Sequence, residues 1–138
     1  MKTAIMRTDQ AQAQHETLIF TLAGFLARSK GCQLVQADHI KGYDQPDPIK
    51  DCIPDVLAWR WRPSISKIVT PTYICEAETG CSLRTDHTAR QLTTFSAEAK
   101  RLGAEFILVI PKSAANDARD VLTQLGIRNA QILSLADG

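Results

Sequence analysis

Two stretches of the chain carry apolar residues at steps of three and four, the spacing typical of a helix that buries one face. The first covers about residues 9–29, with Asp9 as the predicted N-cap and Gly31 as the stop. The second covers residues 86–102. A last helix is predicted at about 114–125, just before a glycine. The sequence therefore predicts three helices.

Five segments of strand length are rich in apolar and β-branched residues and are predicted as strands. They cover residues 32–37, 53–59, 72–78, 106–110 and, as a short edge strand, 131–133. Residues 41–50 are rich in Gly, Asp and Pro and are predicted as a loop, and residues 60–70 as a turn.

The predicted order is helix, three strands, helix, strand, helix, strand, which indicates an α/β fold in one domain over residues 1–138. Its later half alternates helices and strands in the manner of parallel crossover units. A small doubly wound sheet is the alternative architecture, but it would need a helix between the second and third strands. Residues 60–70 are too few and too proline-broken to form that helix.

Composition places the chain among average globular proteins. Apolar residues make up 44% and charged residues 22% of the chain, which argues against disordered, collagen-like and coiled-coil proteins. No apolar run approaches the roughly 18 residues of a membrane span, and the N-terminus holds no hydrophobic stretch of signal-peptide length. We therefore expect a cytoplasmic protein without a membrane partner. The four cysteines lack zinc-site spacing and are expected to be reduced.

The net charge of +1 gives no general electrostatic reason to expect nucleic-acid binding. Basic residues nevertheless form two local groups, with Arg60, Arg62 and Lys67 in one and Arg84, Arg90, Lys100 and Arg101 in the other. The first group brackets a strand connection, and the second lies along or just before a predicted helix. An ordinary solvated surface is the alternative explanation of both groups.

Two carboxylates interrupt the third predicted strand, which otherwise consists of strand-forming residues. In an extended strand Glu76 and Glu78 project to the same side, about 6.6 Å apart along the backbone. They repel each other unless a cation or an arginine compensates, and a hard divalent ion with oxygen ligands would do so. Asp55 opens the preceding strand, so a short connection would bring it close as a third carboxylate. The alternative is a solvent-facing pair at a sheet edge, with Asp55 capping a turn.

Pro54-Asp55, followed 21 residues later by Glu76-Ala77-Glu78, resembles the motif of the PD-(D/E)xK nuclease superfamily, the restriction endonuclease-like fold. Over roughly residues 12 to 110, the order of predicted elements also resembles that superfamily's α-β-β-β-α-β core. The resemblance implies that Asp55 and Glu76 bind Mg²⁺ or Mn²⁺, with the carbonyl oxygen of Ala77 as a further ligand. Glu78 stands where most members carry lysine, which would make the chain an ExE variant.

The change from lysine to glutamate alters the chemistry that the resemblance implies. Glu78 could act as a general base or hold a second metal ion, and two ions would stabilise both the attacking and the leaving oxygen. The positive charge that lysine normally supplies would come from Lys67, Arg84 or Arg90, among which the sequence does not choose.

Two polar residues of the predicted helices also fit the pattern of the superfamily. Glu16 matches the acidic residue that many members place in the first helix to reach the metal through water; the alternative is an exposed helix charge. Gln91 resembles the glutamine of the QxxxY element of RecB-like nucleases, with Phe95 in place of the tyrosine. Its amide could bond the DNA backbone or the catalytic carboxylates, and an ordinary polar helix position is the alternative. His15 lies beside Glu16 and could contact the metal ligands.

Together these implications describe a Mg²⁺-dependent nuclease that hydrolyses DNA rather than RNA, as an endonuclease rather than an exonuclease. Its catalytic set would be Asp55, Glu76, Glu78, Glu16 and Gln91. Because one small domain holds no separate sequence-reading module, we expect a homodimer or a partner subunit to supply specificity. The alternative function is a catalytically inactive module of the same fold that binds DNA or a partner protein, which Glu78 and the near-neutral charge favour.

Overall fold

Helices lie against both faces of a five-stranded sheet in this computed structural model, which describes residues 8–60 and 70–136. The elements are α1 Asp9–Arg28, β1 Leu34–Ala37, β2 Val56–Trp59, β3 Tyr73–Ala77, α2 Asp86–Leu102, β4 Glu105–Pro111, α3 Ala115–Gln124 and β5 Ala130–Leu135. A short 3-10 turn, Lys112–Ala114, precedes α3. The predicted α/β class is confirmed.

The strands lie in the sheet in their chain order, from β1 to β5. The pairs β1–β2 and β2–β3 are antiparallel, whereas β3–β4 and β4–β5 are parallel. The doubly wound alternative is wrong, because the strand order never reverses. The connections that contain α2 and α3 are long enough for parallel crossovers. Most of the turn predicted at 60–70 falls on residues 61–69, which lie outside the described part of the chain.

Alternation along β3 divides its side chains between two apolar cores. Cys75 and Ala77 pack with α1, whereas Ile74 packs with α2 and α3. Because alternate residues of a strand share a face, Glu76 lies on the side of Ile74, and Glu78 follows on that side at the next step. The two glutamates therefore belong to the face of the sheet that α2 covers.

Helix boundaries agree with the sequence predictions more closely than strand boundaries do. α2 has the predicted bounds and ends before Gly103, whose left-handed backbone (φ 71°) closes the helix. The N-cap of α1 is Thr8, not Asp9, because the Thr8 hydroxyl accepts a hydrogen bond from the N–H of Ala11 at 3.1 Å. The first three strands are shorter than predicted, and β5 is longer.

None of the helices within the described ranges is both long and apolar enough to cross a membrane. α1 is the longest of them at 20 residues, yet it buries only one stripe. Gln12 and Glu16 lie on its exposed side, whereas Leu18 and Leu22 are buried against the sheet.

Helices α1 and α2 each carry a phenylalanine, and the two residues differ in burial. Phe95 of α2 is fully buried, whereas Phe20 of α1 is 59% exposed. We expect Phe95→Ala to lower the free energy of unfolding by about 3–5 kcal/mol, because it removes buried apolar surface and leaves a cavity. Phe20→Ala should change it by no more than about 0.5 kcal/mol. Urea unfolding followed by circular dichroism measures both values, and equal losses would contradict this core.

Candidate functional site

The start of β2 and the end of β3 meet because the two strands run antiparallel with Val56 opposite Cys75. One step further along this register, Asp55 faces Glu76. The N–H of Asp55 donates to Glu76 Oε1 at 3.1 Å, and the N–H of Ala77 donates to Asp55 Oδ2 at 2.8 Å. Each carboxylate thus accepts a bond from the neighbouring strand, which brings Asp55 and Glu76 together.

Glu78 follows β3 directly and is held by three neighbours. Its N–H donates to the carbonyl of Val109 in β4 at 3.1 Å. Its Oε1 accepts hydrogen bonds from Ser82 Oγ at 2.6 Å and from Thr88 Oγ1 at 3.4 Å. The carboxyl group is thus fixed by the turn after β3 and by the first turn of α2.

Asp55, Glu76 and Glu78, here called the acidic cluster, are shielded from water, with 1%, 0% and 1% of their surface exposed. Burial is the main cause that raises the pKa of Glu78 above its usual value, and the charge of Asp55 raises it further. Hydrogen bonds with Ser82 and Glu76 and the charge of His15 act in the opposite direction. Buried carboxylates are costly unless they are protonated, paired or bound to a cation. Positive charge would therefore be strongly stabilised here.

His15 is the residue of α1 that reaches the acidic cluster. Its Nε2 lies 3.4 Å from Asp55 Oδ2, and the residue is 5% exposed. Glu16, predicted to reach the metal through water, is exposed and accepts a hydrogen bond from Gln12 Nε2 at 3.1 Å. Successive residues of a helix point about 100° apart, so burying His15 turns Glu16 towards solvent. The structure does not bring Glu16 into the cluster.

Asp38 is an acidic residue of this region that the sequence analysis does not single out. It follows β1 directly, its N–H donates to the carbonyl of Asp55 at 2.9 Å, and it is 8% exposed. Because Ala37 lies opposite Val56, the end of β1 lies beside the start of β2. The signal in the sequence is an aspartate directly after a strand, the position that Glu78 holds after β3.

Gln91 lies on the buried face of α2, one turn beyond the Thr88 that bonds to Glu78. It is 1% exposed, and neither atom of its side-chain amide has a hydrogen-bond partner among the residues that the structure describes. It is therefore not an ordinary exposed helix position. A bond to a catalytic carboxylate is not observed, and a contact with the DNA backbone stays a prediction.

The three predicted sources of positive charge differ in their surroundings. Arg84 pairs with Asp117 of α3 at 3.3 Å on the surface. Arg90 is exposed on α2. Lys67 lies outside the described residues. Arg84 thus already has an acidic partner.

The acidic cluster offers the oxygen donors that Mg²⁺ and Mn²⁺ prefer. The N–H of Ala77 points towards Asp55, and its C=O leaves the extended strand on the same edge. Over residues 8–60 and 70–136, however, no three His, Cys, Asp or Glu side chains form a ready-made metal site. Asp55 Oδ2 and Glu76 Oε1 accept backbone N–H bonds instead. The donor chemistry fits a divalent ion, which these carboxylates would have to turn to meet.

A cavity of about 870 Å³ lies beside α1 and is separate from the acidic cluster. Its described lining combines residues of α1 with the ends of β4 and β5, among them Gln14, Thr17, Pro111 and Leu135. No charged side chain belongs to that described lining. The described lining thus holds no cationic side chain of the kind that phosphate recognition uses.

Comparisons with protein-family models, with curated proteins and with solved structures give no match for this chain. The resemblance to the PD-(D/E)xK superfamily therefore remains a prediction from the motif and the element order. What the chain does is inferred from the chemistry of its own residues.

Glu78→Gln tests the electrostatic state of the acidic cluster. Because the pKa of Glu78 is raised in the folded chain, the folded state holds its proton more tightly than the unfolded state does. This stabilisation is complete below the unfolded pKa of 4.5 and is lost as the pH rises through the folded pKa. We therefore expect E78Q, measured in EDTA, to be more stable than the wild type at neutral pH. Urea unfolding at a series of pH values measures the difference.

Glu98→Gln is a control of opposite sign. The hydrogen bond from Arg101 is the main cause that lowers the pKa of Glu98, so its contribution is present above the unfolded pKa and is lost in acid. E98Q should be slightly less stable than the wild type at neutral pH and should lose that difference as the pH falls. An E78Q chain less stable than the wild type at neutral pH would contradict the raised pKa of Glu78.

Proposed function

We propose that this chain is a metal-dependent nuclease that hydrolyses phosphodiester bonds in DNA, with Asp55, Glu76 and Glu78 holding one or two Mg²⁺ or Mn²⁺ ions. The observation that carries the proposal is the burial of these three carboxyl groups side by side, each at most 1% exposed. Adjacent buried carboxyl groups cost stability unless something compensates them. Such a costly arrangement of titratable groups is typical of a functional site.

Asp55, directly before β2, and Glu76, in β3, supply ligand oxygens, and the carbonyl of Ala77 adds a neutral one. The N–H of Ala77 and the imidazole of His15 position the Asp55 carboxylate. A divalent ion bound here would supply Lewis-acid polarisation of the phosphate and of a water molecule. Because the ligands come from regular strands, the sheet register fixes their spacing.

Glu78 is the general base of the proposed reaction, or a ligand of the second ion in a two-ion site. A carboxyl group whose pKa is raised by burial is a better proton acceptor near neutral pH than an ordinary one. Ser82 and Thr88 hold its Oε1. As base, Glu78 takes one proton from the attacking water while the water oxygen bonds to phosphorus, and it later releases that proton to solvent.

The substrate class and the assembly follow from the resemblance and the charge. DNA cut internally is the substrate that the superfamily motif favours. Contacts with phosphates supply most non-specific affinity for nucleic acid, yet the net charge of this chain is only +1. We therefore propose that a second copy or a partner subunit adds basic contacts.

An inactive module of the same fold is the second candidate function. The N–H of Asp55 donates to Glu76, and the N–H of Ala77 donates to Asp55. These bonds favour the inactive module, because the two carboxylates then stabilise the strand pairing without a bound cation. The pairing of Arg84 with Asp117 also favours it, because it removes a basic residue from phosphate binding.

Isothermal titration with Mn²⁺ separates the two candidates. We expect micromolar to millimolar binding to the wild-type chain and none to Asp55→Asn, which keeps an acceptor for the N–H of Ala77 but loses the charge. Glu105→Gln is the matched control, since Glu105 is exposed at the opposite end of the sheet, beside Tyr73. It should bind Mn²⁺ like the wild type. A wild-type chain that binds no Mn²⁺ would favour the inactive module.

Cleavage is tested on supercoiled plasmid, single strands and branched junctions, each with Mg²⁺, Mn²⁺ or EDTA. We expect cleavage only with a metal ion, and a loss of more than about 100-fold in Glu76→Gln, since residues that only support metal ligands are worth about 10- to 100-fold. Glu105→Gln should cleave at the wild-type rate. Cleavage in EDTA, or activity that survives in E76Q, would overturn the mechanism.

A further inference from the structure

The connection between β1 and β2 begins with a paired aspartate and histidine. His39 Nδ1 lies 2.7 Å from Asp38 Oδ1, so the two side chains form an ion pair when the imidazole is protonated. The Asp38 side chain is 8% exposed, whereas that of His39 is 82% exposed. The carboxylate is thus fixed within the fold while most of the imidazole ring meets solvent.

Gln45 holds both members of this pair. Its Oε1 accepts the N–H of His39, and its Nε2 donates to Asp38 Oδ1 at 2.9 Å. His39 has a left-handed backbone with φ 56°, which residues other than glycine rarely adopt. Such conformations persist where the surroundings fix them and are concentrated at functional sites. Gln45 therefore fixes the backbone of His39, and the Asp38 carboxylate lies beside Nδ1 of its ring.

The pair lies at the edge of the acidic cluster. The N–H of Asp38 donates to the carbonyl of Asp55 at 2.9 Å, so these two residues are neighbours across the strand ends. By strand spacing and chain geometry, the Cα of His39 lies within roughly 10 Å of the Cα of Asp55. A phosphodiester bound over the cluster would therefore come within reach of an exposed imidazole.

The proposed hydrolysis needs a proton donor that the acidic cluster does not supply. The leaving alkoxide must gain a proton, whereas Asp55, Glu76 and Glu78 act as ligands or as a base. Imidazole changes its charge near neutral pH and is the side chain most often used for proton transfer. A carboxylate at Nδ1 orients the ring and stabilises positive charge on it, which leaves Nε2–H to face a substrate.

We propose that His39, oriented by Asp38, is the general acid of this reaction; the inference rests on the proposed function. The attacking water bonds to phosphorus and gives one proton to Glu78 or to solvent. The bond from phosphorus to the leaving oxygen breaks, and that oxygen takes the proton of His39 Nε2. Solvent then returns a proton to the imidazole, so that no other co-reactant is needed.

The first test compares single-turnover cleavage by wild type and His39→Gln at saturating enzyme with Mn²⁺. We expect the rate to fall by about 10²- to 10⁴-fold, the usual effect of losing a general acid. The affinity for Mn²⁺, measured by titration, should not change. Lys41→Gln removes an exposed charge from the same connection and is the control, which should cleave at the wild-type rate.

A substrate whose leaving oxygen is replaced by sulfur separates proton donation from a structural role. A thiolate leaves without a proton because thiols are far more acidic than alcohols. Wild type and H39Q should therefore cleave this substrate at similar rates. Asp38→Asn, which removes the negative charge beside Nδ1 but keeps the imidazole, should lose less activity than H39Q on the oxygen substrate and regain it on the sulfur substrate.

The remaining outcomes contradict either the role of His39 alone or the proposed function as a whole. H39Q that cleaves the oxygen substrate at the wild-type rate, or that is equally slow on both substrates, overturns the assignment of His39 and leaves the proposed function standing. A wild-type chain that binds no Mn²⁺ and cleaves neither substrate overturns the proposed function, and the role of His39 with it.

Discussion

Compensation of buried negative charge is the constraint on which this account of the molecule depends. Asp55, Glu76 and Glu78 are removed from water at the end of β3, where ionised carboxylates are costly. The fold meets part of that cost with N–H donors of the strands and with hydroxyl groups of Ser82 and Thr88. A divalent ion would add the positive charge that these neutral donors do not supply, and this links the stability of the region to its proposed chemistry.

The change from antiparallel to parallel pairing at β3 brings the acidic cluster and its hydrogen-bond partners together. Antiparallel pairing sets the end of β1, the start of β2 and the end of β3 side by side. Parallel pairing with β4 then anchors Glu78 through the carbonyl of Val109. α1 covers one face and contributes His15, while α2 covers the other and contributes Thr88. Each contribution comes from a regular element or from the residue directly before or after one.

Local patterns were sufficient to predict the elements and the proximity of Asp55, Glu76 and Glu78, and packing decided what they missed. α2 has strong caps and a clear apolar stripe, so its bounds agree with the prediction. Glu16 and His15 are neighbours on α1, and only the rotation of the helix against the sheet decides that His15 is buried. Asp38 could not be assigned from the sequence, because its position depends on how β1 pairs with β2. That pairing brings Asp38 next to Asp55, which is 17 residues away along the chain. The burial of Gln91 likewise depends on how α2 sits on the sheet.

The anomalous scattering of Mn²⁺, in crystals of the full chain grown or soaked with that ion, shows directly whether the acidic cluster holds a metal. We expect a peak between the carboxylates of Asp55 and Glu76, close to Glu78 and the carbonyl of Ala77, with at least one carboxylate turned away from its backbone N–H donor. A crystal in which Asp55 and Glu76 keep their N–H bonds, and in which Mn²⁺ is bound elsewhere or not at all, would contradict it.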